Sequence, residues 1–506
     1  MANAKTMHGL GADVMRTGHA PARKFAILAL AVGISGCTVG PDFKRPDAPE
    51  VTGYTATPIP MQTESAPARL GETQRLVTGL PVDGPWWRKL KSPKLNALIE
   101  QALTANPTLA AASATLRQAQ ELQAAQAGST LYPQLDAGLG AQRQRMSPST
   151  QGLVDEAQTF SLYNASVGVR YNLDLAGGNR RALEALAARA DFRRFELEAA
   201  RLTLASNIAT AAITRARLTA QLEATTAILR SQEEQVGLAG ERVRLGQATP
   251  NEVLALQIQV EQTRAERPAL RKQMQQTEHL LAALSGRAPG AGVLPEFTLA
   301  DFTLPSELPL IVPSELVRRR PDIQASEALL HAANADYGAA VARRYPQVNL
   351  SASLGSQALT TGALFGSGSS VWNLVGQLTQ PVFNPGLPAE KRAALAAFDA
   401  AVAHYQGVVL DALRNVADVL RAVENDAQEL AALAAAHEAA EGSQRAVEQQ
   451  YRLGAASYVQ LLIAQQQAQQ THLGLAAAQA QRLADSVALY QAVGAGSDGT
   501  TATSLR

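Results

Sequence analysis

Val409, Leu413, Val416, Leu420, Val423, Ala427, Leu430 and Ala434 alternate four and three residues apart, a heptad seam. The seam lies in a run from about Glu390 to Leu453 that holds no proline and is rich in alanine. At about 1.5 Å per residue this run makes a rod roughly 100 Å long, far beyond the three turns of an average helix. Such a rod must pack against other long helices. An earlier run, from Arg180 to Leu245, is likewise proline-free and alanine-rich. The first rod closes on Arg244-Leu245-Gly246-Gln247-Ala248-Thr249, the second on Arg452-Leu453-Gly454-Ala455-Ala456-Ser457. The shift of about 208 residues marks a tandem duplication.

Each copy opens with a helix and then changes period. The first helix runs from about Pro93 to Leu131, with Leu95, Leu98, Ile99 and Leu103 on one face, and is interrupted at Asn106-Pro107. Proline is tolerated in a first turn, so a kink and a fresh start both stay open there. The matching helix begins near Pro313 and carries Arg320-Pro321-Asp322-Ile323 at the equivalent place. Both lead to a tyrosine-proline pair, Tyr132-Pro133 and Tyr345-Pro346, after which apolar and polar residues alternate singly. Leu135, Ala137, Leu139 and Ala141 form one such row, and Val167, Val169, Tyr171 and Leu173 the next. The second copy contributes Val348, Leu350, Ala352 and Leu354, then Trp372, Leu374, Gly376 and Leu378. Strands are therefore predicted at about 134–144, 160–173, 347–356 and 371–383. An outer-membrane strand needs this pattern, lipid on one face and water on the other. A half-buried soluble sheet would show it too.

Four strands cannot close a barrel, and open edges are not tolerated in lipid. The chain must then share a barrel with its own copies. Two copies give an eight-stranded barrel filled by side chains, whereas three give twelve strands and room for a conduit. Behind each Arg-Leu-Gly reversal a returning helix follows, about Pro250–Ser285 and Ser457–Val493. Each is about half a rod in length, so one continuous helix would pair with two stacked shorter ones. The expected fold is mainly α with a small β part: duplicated helical hairpins forming a trimeric α-barrel, with four strands per chain in a shared twelve-stranded barrel. The first repeat spans 86–286, the connector 287–312 and the second repeat 313–495. The connector and terminal segments would gather as a belt at the joint.

The remaining segments carry an address. Arg16, Arg23 and Lys24 precede the short apolar run Phe25 to Val32, and Ile34-Ser35-Gly36-Cys37 follows. That order reads as a lipoprotein signal peptide over 1–36, with Cys37 the lipidated first residue of the mature chain. An ordinary signal with an incidental cysteine is the bland alternative. Residues 37–85, rich in Pro, Thr and polar residues, read as a lipid-anchored extended tether closed by Trp86-Trp87. The tryptophans read as packing against the first helix in preference to ligand contact. No other stretch approaches the roughly 20 apolar residues of a membrane helix. A net charge of +1 leaves no nucleic-acid footprint.

Cys37-Thr38-Val39-Gly40-Pro41-Asp42-Phe43, Trp86-Trp87 with Leu95, Leu98 and Ile99, Asn106-Pro107 and Arg319-Arg320-Pro321-Asp322-Ile323 together resemble the TolC/NodT-type outer membrane factors. These are lipidated efflux channels of RND tripartite pumps, and the resemblance covers 37–495. It implies a homotrimer in outer-membrane lipid, passing substrates delivered by an inner-membrane RND pump and a periplasmic adaptor. By motif match the adaptor-docking tips are Arg244, Leu245, Gly246 and Thr249, with Arg452, Leu453, Gly454 and Ser457. Related channels often carry aspartates just past the second tip as an acidic ring. This chain has Gln460 and Ile463 there, and Glu252 and Ala255 in the first copy. Glu252 is the nearby acid to consider as a gate, or it is a solvated helix-end carboxylate. Asp418 and Arg421 would line the bore or simply face solvent.

Candidate catalytic chemistry is missing from the pattern. The histidines are scattered singly, without metal-ligand spacing. Gly494-Ala495-Gly496-Ser497-Asp498-Gly499 fits a nucleotide-loop template on paper but follows a helix, so 496–506 reads as a flexible tail. No enzyme, cofactor or metal is expected. The leading function is a passive exit duct for small toxic compounds. The alternatives are a duct for protein secretion driven by an ABC exporter, or a lipid-anchored periplasmic adaptor or scaffold.

Overall fold

The computed structural model describes residues 38–82, 84–146 and 157–496. The signal segment with Cys37, most of the 145–159 loop and the tail beyond Gly496 lie outside the described residues. In chain order the elements are β1 (Arg75–Thr78), α1 (Pro93–Ala105), α2 (Pro107–Leu131), β2 (Gln134–Met146), β3 (Gln158–Leu173), α3 (Gly178–Arg244) and α4 (Pro250–Leu284). There follow β4 (Glu307–Leu310), α5 (Pro313–Arg319), α6 (Pro321–Ala342), β5 (Gln347–Ala358), β6 (Ser370–Thr379), α7 (Gly386–Arg452) and α8 (Tyr458–Ala492). The described residues are mostly helical, and α3 and α7 each run 67 residues.

The chain divides into two compact units. One contains the four long strands β2, β3, β5 and β6. They form an antiparallel sheet in the order β2-β3-β5-β6. Register places Leu135 opposite Val169, Val169 opposite Ala352 and Ala352 opposite Leu374, one apolar row across all four strands. Leu139 is 84% exposed, Trp372 75% and Leu374 73%, so this face carries large apolar side chains covered by nothing among the described residues. On the other face Arg170 pairs with Asp136, Asn172 with Asn349, and Ser353 with Asn373. Val375 is an apolar exception on that face, opposite Ser351. The last strand stops at Thr379, short of the expected 383, because Pro381 has no N–H to donate to a ladder.

The same unit holds the start of the tether. Arg181 is buried and donates to Asp42 and to the Gly40 carbonyl. A Cβ on Gly40 would sit 2.6 Å from the Cα of Gly338, so backbone meets backbone there and only glycine fits.

The other unit holds the hairpins. Antiparallel packing is fixed by pairs such as Arg215 with Glu278 and Arg264 with Glu233 between α3 and α4. The seam of α7 is buried at Val409, Val416, Leu420, Val423, Ala427, Leu430 and Ala434, while Leu413 is half-buried. Asn106 resolves the question at Pro107 in favour of a fresh helix. Its N–H bonds the Ala102 carbonyl and ends α1; its Oδ1 accepts from Thr108 and Leu109 and starts α2. The same side chain donates Nδ2 to the Leu284 carbonyl at 2.8 Å, tying the junction to the end of α4. In the second copy Arg320 takes this place: its N–H ends α5 on the Leu316 carbonyl and its Nη1 donates to the Ala492 carbonyl at 2.9 Å.

The tether is not featureless. Its β1 pairs in parallel with β4 of the connector, Leu76 opposite Leu308. Trp86 stacks on Tyr490 of α8 at 5.5 Å, with Trp87 edge-on. Arg482 of α8, fully buried, donates to the carbonyls of Leu70 and Glu72, to Thr63 and to Gln74. Arg421, expected in the bore or in solvent, instead reaches the Thr57 carbonyl of the tether at 2.7 Å and pairs with Glu424. One further correction concerns α7, which is long and apolar enough to cross a membrane, with a window of mean hydropathy 1.3.

Asp485, one turn after Arg482, is buried; its Oδ1 accepts from Gln481, and its carboxyl faces that of Asp426. Burial first, and then the facing Asp426, push its carboxyl up to about 8, against the pull of Arg482. The folded state therefore keeps a proton that the unfolded chain gives up near pH 4. That stability is fully present below about pH 4 and is lost as pH rises through about 8. Asp485→Asn should flatten this dependence, melting close to wild type at pH 4 and increasingly above it from pH 6 to pH 9. Parallel melting curves for the two proteins across that range would remove the assignment.

Candidate functional site

A rod must reverse to meet its returning helix, and both reversals use the same backbone device. Gly246 and Gly454 have φ of +72° and +75°, a region that costs other residues about 1–2 kcal/mol. At the first tip Gly246 N–H bonds the Val243 carbonyl and Gln247 N–H the Arg242 carbonyl. At the second, Gly454 bonds to Tyr451 and Ala455 to Gln450, the paired bonds of a Schellman end.

The next helices start on reciprocal caps. Thr249 and Glu252 form one capping box, Ser457 and Gln460 the other. Glu252 thus sits at the N-terminus of α4, its carboxylate accepting from the Thr249 N–H. Gln460 does the same work with an amide, at 2.7 Å from the Ser457 nitrogen. An acid is not required at that position for the cap to close. Ile463 is 61% exposed, as is Val459, and Leu453 is 78% exposed. Leu245, Leu254 and Ile258 are exposed at the first tip, so both tips present apolar surface. Arg244 pairs with Glu241 and Arg452 with Glu448, all on open surface. Asp418 lies elsewhere on α7, exposed and paired with Arg414 at 3.4 Å.

The two tips meet. The Arg242 guanidinium lies over the ring of Tyr451, 5.0 Å from its centroid, and donates to the same tyrosine's hydroxyl. A cleft of about 510 Å³ beside this contact is lined from both copies, including Leu245, Gln247, Leu453 and Gly454. Tyr458 borders it with a buried hydroxyl that has no partner, and burial pushes its phenol pKa up. None of these three residues stands out in the sequence. Under the repeat shift Arg242 matches Gln450 and Tyr451 matches Val243, so the pair is split between copies that differ there.

Nothing at the tips resembles a nucleophile with its base. Among the described residues no three His, Cys, Asp or Glu side chains gather where a metal could be held. Duplicated helical hairpins with tips of this kind, in a chain that also builds a sheet with one uncovered apolar face, define a channel-type membrane protein. A family model for the outer membrane efflux protein matches residues 98–287 and 312–495. The chain belongs to that family, and it is an efflux component of the outer membrane of a Gram-negative cell. It is 30% identical over 480 residues to the toluene efflux pump outer membrane protein TtgC of Pseudomonas putida, covering 93% of this chain and 96% of that one. To the pyoverdine export outer membrane protein OpmQ of the same species it is 31% identical, covering 87% and 94%. The structure of the outer-membrane channel OprN superposes with a TM-score of 0.82 at 27% identity, covering 91% of this chain and 99% of the other.

The tip geometry sets an expected order of damage. Gly454→Ala should loosen the second reversal by about 1–2 kcal/mol. Gly454→Pro should do more, because it also removes the N–H that bonds Tyr451 and cannot take a positive φ. Hydrogen exchange at Leu453 to Ser457 measures both. Wild-type protection in both variants would mean that the positive φ does not hold this turn.

Proposed function

We propose that the chain is the passive exit duct of a tripartite efflux system, working as a homotrimer. The carrying observation is the four-stranded sheet, whose apolar face is uncovered and whose edge strands β2 and β6 have no partner among the described residues. Edges of this kind are not stable in lipid, and three copies supply the strands to close a barrel around water. The long hairpins then extend the bore into the periplasm. Cys37, as a lipidated first residue, would give the assembly a second hold on the membrane.

In this reading the tips Arg244 to Thr249 and Arg452 to Ser457 receive a periplasmic adaptor, which links the duct to an inner-membrane RND pump. Exposed Leu245, Leu453, Val459 and Ile463 supply apolar contact, and the Arg242–Tyr451 contact holds one tip to the other in the closed state. The duct needs no cofactor and performs no reaction; energy enters from the pump. Small apolar toxic compounds are the proposed cargo, in line with the toluene named for TtgC.

Deletion should sensitise the cell to solvents, dyes and antibiotics, and unchanged susceptibility across a broad panel would defeat the cargo assignment. A photo-crosslinker at Ser457 should capture a periplasmic adaptor in living cells. Adducts with sister copies alone would move the docking surface elsewhere. Arg242→Ala and Tyr451→Phe should each raise single-channel conductance in planar bilayers, and wild-type conductance in both would rule out this contact as the gate.

A further inference from the structure

In the second copy, the hairpin of α7 and α8 carries a cluster that neither the seam nor the tip uses. His437 of α7 and His472 of α8 face each other with ring centroids 5.0 Å apart and planes tilted by 60°. They border a cavity of about 180 Å³ together with Gln232 of α3, Glu441 and Gln465. Four buried polar atoms of these lining residues have no hydrogen-bond partner: Gln232 Oε1, His437 Nδ1 and both amide atoms of Gln465. Buried polar atoms are nearly always paired, and a cluster of exceptions around one cavity calls for an occupant.

The imidazole chemistry narrows the occupant. His437 Nε2 lies 3.5 Å from Glu441 Oε1, one turn further along α7. A carboxylate on that side of the ring faces Nε2, and Nδ1 is the buried atom without a partner, the nitrogen open to a ligand. Histidines that bind metals are oriented by this kind of carboxylate contact. Two imidazoles on one tetrahedral ion, each nitrogen about 2.0–2.1 Å from it, place their ring centroids roughly 5 Å apart. The observed separation matches.

We propose that His437 and His472 are the nitrogen ligands of a site for a divalent transition-metal cation of the zinc class. The side-chain oxygens of Gln232 and Gln465 are the nearby protein donors, and water completes the set. Glu441 is a positioning residue, consistent with the lack of a third His, Cys, Asp or Glu ligand among the described residues. The ion would clip α7 to α8 roughly 20 Å from the tip, given about 1.5 Å per residue from His437 to Arg452. The first copy has Leu229 and Arg264 at the matching positions, so only one hairpin of the chain would be clipped.

The test uses the tag-free full chain in detergent, stripped with chelator. Zinc is titrated in competition with a chromophoric chelator, and cobalt serves as the spectroscopic probe. One zinc per chain and visible cobalt bands of a nitrogen–oxygen tetrahedral site are expected. His437→Gln and His472→Gln should each weaken zinc binding by at least about tenfold and abolish the bands. Glu441→Gln should weaken it by about 10–100-fold with the stoichiometry kept. His404→Gln, on another part of α7, should change nothing. Absence of cobalt bands, or equal loss in His404→Gln and His437→Gln, would overturn the site and leave a cavity for water. If His437→Gln does not fold, the more exposed His472→Gln decides: wild-type zinc binding by that folded variant also overturns the proposal.

Discussion

A helix of 67 residues has no equal beside it except its own repeat, and its apolar seam must still be covered from end to end. The chain meets this constraint with helices of about half the length, so each rod is served by partners that must join end to end. Helix ends inside a packed wall leave backbone groups unpaired unless a side chain supplies the missing bonds. Asn106 does so in the first copy: one side chain closes the start of α2 and reaches the last carbonyl of α4. Arg320 reaches the last carbonyl of α8 in the second. The joints are equivalent in place and different in chemistry, one a small amide and the other a long cation.

The tether depends on the same region. Arg482 is a cation buried in the last helix, and its partners are carbonyls and uncharged side chains of the tether. A buried charge needs partners for its donors, and the two terminal nitrogens of Arg482 take theirs from the strap, so the strap and the helix hold each other in place. Asp485 next to it is kept largely as a neutral acid by burial and by Asp426. The belt around the joint is therefore rich in polar groups whose partners lie hundreds of residues away.

This distance explains what could be read beforehand. The rods, their reversals and the alternating segments have local periods, and a period survives in the bare sequence. Val409 to Ala434 announced a seam because each residue of it repeats the same spacing. Strands β1 and β4 are four residues each, too short to show alternation, and they pair across more than 200 residues. Arg421 looked like a bore or solvent residue because its real neighbour, Thr57, belongs to a segment with no pattern. Histidines 437 and 472 look solitary in sequence for the same reason: the hairpin, not their spacing, brings them face to face. Arg242 and Tyr451 are hidden further, since each comes from a different copy.

The two capping boxes have an outcome beyond starting two helices. Both tips have the same backbone path, yet one cap ends in the carboxylate of Glu252 and the other in the amide of Gln460. Duplication thus preserved the shape of the tips and let their electrostatics diverge. Salt in the surrounding medium screens a contact made to the first cap and leaves one made to the second nearly untouched. Any molecule that reads charge can therefore tell apart two ends that shape alone would confuse.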